Sequence, residues 1–283
     1  MNNGSRISLP LPPATKALFL ANVAVFVVNA LLLGALSDPG KGGWFAFSWT
    51  GLLDGYGLGL WRVVTYQFTH AFSDPMHVLM NMLALWVFGP MAESRLGYAG
   101  TLRLYLWGGV CGALGHVALS AAQGQLAVSL VGASGACYAL LVYAACVMPR
   151  ATILFLIVQV PLAVLASLLV GLGLYLTFVE LATGGSGGVS HSAHLGGAAL
   201  GFVAFKLGWF LDYLDVDRPG PIARCLAALR ARVHQRKAKA KAGQDLQLDS
   251  ILAKVKQSGL GSLAADERRF LARLSQRTRS SDS

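Results

Sequence analysis

Long apolar runs broken by short polar stretches fill the chain from Ala17 to Leu211. The first, Ala17–Leu36, is long enough to cross the hydrocarbon core of a bilayer as one helix, which takes about 20 residues. Five more follow, at roughly His77–Met91, Leu102–Ala122, Val131–Val147, Pro161–Leu181 and Ala193–Leu211. Because apolar runs continue far beyond the first, that run reads as a retained span and not as a cleaved signal. The pattern predicts an all-α fold, a six-helix polytopic membrane bundle over residues 17–212. A polar segment, 1–16, precedes it and a tail, 213–283, follows.

The stretches between spans differ in character. Residues 37–76 hold Trp44, Trp49 and Trp61, several glycines and few charges. Aromatic residues favour the headgroup level, so this segment reads as an interfacial structure. Residues 151–160 are β-branched and lead into Pro161, which fits either an extension of the fifth helix or an extended run along the interface. After Asp217-Arg218-Pro219-Gly220 the sequence turns polar. Residues 222–242 read as a basic helix. Two short amphipathic patterns follow over 249–275, parted by a turn at 259–262 with Ser262 as a helix cap. The tail is a short helical appendage, in whole or in part.

Composition agrees with the span pattern. Hydrophobic residues are 55% and charged residues 13% of the 283, against about 25% charged in an ordinary soluble domain. A disordered chain, a disulfide scaffold and a typical soluble enzyme are excluded. The net charge of +10 sits mainly at the two ends. With the N-terminus in the cytoplasm, the inner segments hold Arg6, Lys16, Arg95, Arg103, Arg150 and the basic tail, while the outer segments hold only Lys41 and Arg62. Lys and Arg mark the inner side of a membrane protein, so both termini are expected there. The basic tail then faces a lipid surface, and no nucleic-acid partner is expected. Cys111, Cys137 and Cys146 lie in apolar runs without metal-ligand spacing and read as small hydrophobes. No metal or cofactor is expected.

Polar groups inside spans are costly and mark function. Ser134, flanked by Gly132, Ala133 and Gly135, opens the fourth apolar helix, where the small residues allow close approach to its hydroxyl. Helix packing by small residues is the competing reading. His194 opens the sixth span, and a neutral imidazole is the usual base for a serine nucleophile. Gly197 and Gly201 lie on the His194 face. If that face packs on the fourth span, His194 reaches Ser134. His77 and Asn81 share one helical face at i,i+4 and can both donate to a developing oxyanion. Glu93 and Arg95, at the other end of the second span, read as ties between helix ends. His191 adds a polar group near His194, and His116 has no evident role. No acid accompanies the Ser–His pair.

Taken together, Trp61-Arg62, HVLMN at 77–81, the Gly89–Gly97 pattern with Glu93 between, GASGACYA at 132–139 and AHLGGAALG at 193–201 resemble the rhomboid intramembrane serine proteases. The resemblance spans about residues 17–210. It implies six helices around a water-filled cavity below the membrane surface. It also implies Ser134 as nucleophile, His194 as base, and His77, Asn81 and the Ser134 backbone N–H at the oxyanion. Tyr138 would pack on the imidazole. The implied activity is a serine endopeptidase that cleaves transmembrane segments of other membrane proteins, in a bacterial inner membrane. The tail is similar to a cytoplasmic extension of some bacterial members. The alternative is a non-catalytic rhomboid-like protein that binds membrane proteins. Such proteins usually lack the serine or the histidine, and this chain has both.

Overall fold

The computed structural model describes residues 11–39, 43–57, 59–155, 157–185, 188–211, 221–259, 261 and 263–271. It forms two compact units, Met1–Gly220 and Pro221–Ser283. The first unit contains α1 (Pro13–Leu31), α2 (Trp49–Gly57), α3 (Arg62–Thr65), a 3-10 turn (Tyr66–Phe68), α4 (Pro75–Ala122), α5 (Ser134–Val147), the strands β1 (Thr152–Phe155) and β2 (Val158–Pro161), α6 (Leu162–Thr183) and α7 (His191–Leu207). The fold is helical, and α1, α4 and α6 are long and apolar enough to cross a membrane.

The first helix starts at Pro13, ahead of the apolar run that begins at Ala17. Proline suits a first turn because its missing N–H has no helical partner there. Two further donors of that turn, the backbone N–H groups of Ala14 and Thr15, reach the Glu93 carboxylate at 2.8 and 2.7 Å, and the Thr15 hydroxyl joins them at 2.7 Å. A carboxylate at a helix N-terminus also complements the helix dipole. Glu93 therefore ties α4 to the start of α1, as its position at a helix end suggests.

Two expected spans join in α4, a single 48-residue run interrupted at Gly97. With φ 70° and ψ −173°, Gly97 takes a backbone conformation that glycine alone adopts readily. At 1.5 Å per residue an unbroken helix would be about 70 Å long, more than twice a hydrocarbon core of about 30 Å. The bend at Gly97 lets the two arms run separately. Thr152–Phe155 and Val158–Pro161 pair as antiparallel strands, with Thr152 opposite Pro161 and Phe155 opposite Val158. Of the two conformations open to this β-branched run, the extended one is adopted.

The core centres on α5. Leu140, Leu141 and Tyr143 are buried in it, with Leu85, Leu96, Leu104 and Tyr105 of α4 around them. In the interfacial segment, Phe47 pairs with Leu130 through backbone hydrogen bonds of 2.9 and 2.6 Å. That segment also places the Tyr66 hydroxyl on the Gly109 carbonyl at 2.6 Å.

The second unit contains α8, Pro221–Ser258, one helix that covers the basic stretch and the first amphipathic pattern together. Among the described residues, Ile251 and Leu263 are buried. Glu267 accepts hydrogen bonds from Lys254 and from the backbone N–H of Ala264, and the lysine holds the Glu267 carboxyl below its ordinary range. Ser262, expected as a cap, lies outside the described residues.

Candidate active site

Helix α5 begins at Ser134 itself, after Ala133 in a near-helical conformation with no side-chain cap. The first-turn N–H groups of any helix lack intrahelical partners, and the dipole makes that end attractive to negative charge. A nucleophile on the first residue of a helix therefore sits beside donors for the charge that its attack creates. Just upstream, Gly132 has φ 111°, again a glycine conformation, and its N–H is held by the Tyr66 carbonyl at 2.9 Å. This bend delivers the chain into α5 at the angle that exposes the serine.

Helix α7 brings the imidazole of His194. Ser190 caps it through the Ala193 N–H, and His194 follows in its first turn. A side chain at Gly197 would strike the carbonyl of Gly135, and one at Gly201 the carbonyl of Ala139. The two backbones thus run in contact, which only glycine at these positions allows. On the α4 side, Gly112 and Gly115 meet the Ala193 and Ser192 carbonyls in the same way. Glycine contacts on two sides fix the height and rotation of α7.

The result is a His194 Nε2 to Ser134 Oγ distance of 2.8 Å. His194 is buried to 9% exposure, and Ser134 is half-buried. For Nε2 to accept the serine proton, the neutral imidazole carries its own proton on Nδ1. Nδ1 is buried and has no hydrogen-bond partner among the described residues. The ring is oriented by stacking instead. Tyr138 lies parallel to it, with centroids 4.4 Å apart and planes 10° off. One turn along α5 from Ser134, Tyr138 is placed for this by helical spacing.

The remaining expected residues flank the same point. His77 Nε2 lies against the Cα of Gly132, where a side-chain carbon would collide with it, and the Asn81 amide is just beyond. Asn81 Nδ2 donates to the His77 carbonyl at 2.9 Å, leaving its second N–H to offer. Ser134, His194, Tyr138, Gly132, His77 and Asn81 are thus brought together, from α4, α5 and α7.

Two neighbours, His70 and Glu180, carry no sequence signal of their own. His70 is buried and packs edge-on to His77 at 5.2 Å between ring centroids. Glu180 of α6 approaches His191 of α7 at 3.8 Å, and the His191 ring meets the His194 ring edge-on at 5.8 Å. Ser190 was open to discovery, because a serine just before an apolar helix is a cap pattern. The partners of His70 and Glu180 depend on helix packing, which spacing along the chain does not reveal.

Residues 57–210 match the Rhomboid domain family, more than half of the chain. RHOMBOID-like protein 12, mitochondrial, of Arabidopsis thaliana is 32% identical over 168 residues, 54% of this chain and 48% of that protein. Presenilin-associated rhomboid-like protein A, mitochondrial, of Danio rerio is 32% identical over 159 residues, covering 53% of this chain and 37% of that one. Rhomboid protein 1, mitochondrial, of Saccharomyces cerevisiae is 29% identical over 151 residues, 53% and 41%. The chain spans half or less of the length of these curated relatives. The domain match and the membrane-length apolar helices lead to one conclusion: the chain is an integral membrane protein of the rhomboid family.

Proposed function

We propose that the chain is an intramembrane serine endopeptidase acting through a Ser134–His194 dyad. The single observation that carries this reading is the 2.8 Å contact between His194 Nε2 and Ser134 Oγ at the start of a helix. Ser134 Oγ attacks the scissile carbonyl carbon as His194 Nε2 takes its proton. The carbonyl electron pair moves onto oxygen, where the N–H of Ser134, the His77 imidazole and the Asn81 amide stabilise the charge. The C–N bond then breaks, and His194 returns its proton to the leaving nitrogen. Water attacks the resulting acyl-enzyme by the same route, giving a proton to His194, which passes it to Ser134 Oγ as the acyl–oxygen bond breaks and the acid product leaves.

Burial of the imidazole supports this assignment, because electrostatic interactions strengthen where water is excluded. The substrate class follows from the setting: transmembrane segments of other membrane proteins. Their helices must unwind locally, since a helical carbonyl is already hydrogen-bonded and sterically shielded. In this reading residues 17–212 form a six-span protease domain. In the same reading the Lys and Arg distribution favours both termini on the inner side of the membrane, with the basic tail, 213–283, near that leaflet.

The test is cleavage of a transmembrane substrate in liposomes, wild type against Ser134→Ala. Loss of all cleavage in a folded Ser134→Ala supports the dyad. Undiminished cleavage removes Ser134 from the mechanism.

A further inference from the structure

His116 lies on α4, is buried, and takes no part in the chemistry above. Its Nε2 is 3.0 Å from the Val128 carbonyl and its Nδ1 is 3.0 Å from Ser190 Oγ. The Ser120 hydroxyl stands farther from Nε2, at 3.5 Å. A carbonyl oxygen can only accept, so Nε2 carries the ring proton and donates to Val128. Nδ1 is then a bare lone pair. The Ser190 hydroxyl must donate to it, which leaves the Ser190 oxygen as acceptor for the Ala193 N–H at 3.4 Å and for the Ser192 hydroxyl at 3.2 Å.

Each end of this chain of hydrogen bonds leads to one half of the dyad. Val128 lies in the segment that pairs with Phe47 at Leu130, bends at Gly132 and enters α5 at Ser134. Ser190 is the N-cap of α7, and His194 is in the first turn behind it. The ring of His116 is the junction, and α4, which carries it, is pressed against α7 by Gly112 and Gly115. A histidine serves here because it offers a donor and an acceptor on opposite sides of one rigid ring.

We propose that His116 is a positioning residue for the Ser134–His194 pair: it locks the approach to Ser134 onto the N-cap of the helix that carries His194. This rests on the protease reading. Losing the lock lets the first turn of α7 shift relative to α5, and a shift of about 1 Å in reacting groups costs on the order of 100-fold in rate. Because the site retains its glycine contacts, the expected loss is smaller, on the order of tenfold. It falls on kcat and not on KM, since His116 does not face the substrate.

The experiment compares full-length wild type, His116→Ala, His116→Asn, Ser190→Ala and the His116→Ala/Ser190→Ala double variant in liposomes on one transmembrane substrate. Reactive serines are titrated with a fluorophosphonate, so that each rate refers to folded enzyme. The expected result is a lower kcat at unchanged KM for His116→Ala and Ser190→Ala, with the double variant no slower than either, because both changes break one linkage. His116→Asn keeps an acceptor in the Nδ1 position but has no atom that reaches the Val128 carbonyl, so it is expected to be slow as well. Wild-type kcat in His116→Ala overturns the inference, and so do strictly additive losses or an asparagine variant as fast as wild type. If His116→Ala fails to fold, Ser190→Ala and His116→Asn decide: low kcat in both supports the linkage, and a wild-type rate in either overturns it. A wild type as inert as Ser134→Ala overturns the protease reading and this inference with it, an outcome distinct from an active wild type beside an equally active His116→Ala.

Discussion

Helices α5 and α6 are both strongly apolar, yet they do opposite things. In α5, Ala139 and Leu140 have no exposed surface, and Gly135 and Ala139 present bare backbone to the glycines of α7. In α6, Leu168 is 63% and Phe178 70% exposed, and burial is confined to Leu162, Leu165, Ala166, Gly173 and Glu180. Apolarity alone does not distinguish these roles; residue size does. Small residues on α5 and α7 allow backbone contact and so a fixed dyad distance, as expected where packing drives helix association in lipid. Large side chains on α6 keep it at arm's length and suit contact with acyl chains. The site is built on the rigid pair, and α6 touches it at its edge through Glu180 and His191.

The largest expected effect comes from breaking the rigid pair. Gly197→Leu or Gly201→Leu inserts a side chain where α7 meets the Gly135 or Ala139 carbonyl. Overpacking of this kind costs about 1–3 kcal/mol, and displacement of His194 lowers cleavage on the order of 100-fold. Kinetics on the folded variants check this, and full activity in both would show that the glycine face does not set the dyad distance.

Next in size is the other end of the bundle. Glu93→Ala strips the acceptor from Ala14 N–H, Thr15 N–H and the Thr15 hydroxyl. Unsatisfied buried donors cost about 1–3 kcal/mol each, and some will find water at the helix end. The expected destabilisation is about 3 kcal/mol, read from unfolding in mixed micelles, with the folded fraction retaining its kcat. A change in kcat at full occupancy of the fold would join Glu93 to the site.

The smallest effect is expected on α6. Leu168→Ala and Phe178→Ala remove side chains that face outward, and exposed substitutions away from special features stay within about 0.5 kcal/mol. Stability and cleavage should both match wild type. A loss of several kcal/mol in either would mean that α6 is packed as tightly as α5 and would erase the contrast.

The sequence made some of this legible and hid the rest for physical reasons. Ser134 and His194 stood out because polar groups inside apolar runs are rare, and Gly197 and Gly201 signalled a close-packed face by their spacing. No Asp or Glu neighbours Ser134 or His194 along the chain, so the sequence offered a Ser–His pair with no third member. The paired strands at 152–155 and 158–161 remained ambiguous, because a short β-branched run fits either conformation until its neighbours are known. The linkage of His116 was invisible: its partners lie 74 and 12 residues away, and only the α4–α7 packing brings the farther one to it. In the tail, Gly243 breaks the apparent helical pattern at a cost of about 1 kcal/mol, yet α8 runs through it.

The central claim is that Ser134 is activated by His194, and covalent labelling tests it without requiring a known substrate. Wild type and His194→Ala are reconstituted in the same liposomes and treated with a fluorophosphonate, and the modified residue is located by mass spectrometry. A single adduct on Ser134 is expected in wild type. In folded His194→Ala, labelling should be slower by about 100- to 10,000-fold, the usual contribution of a positioned general base. An adduct on a different serine, or equal labelling of Ser134 in the two proteins, would contradict it.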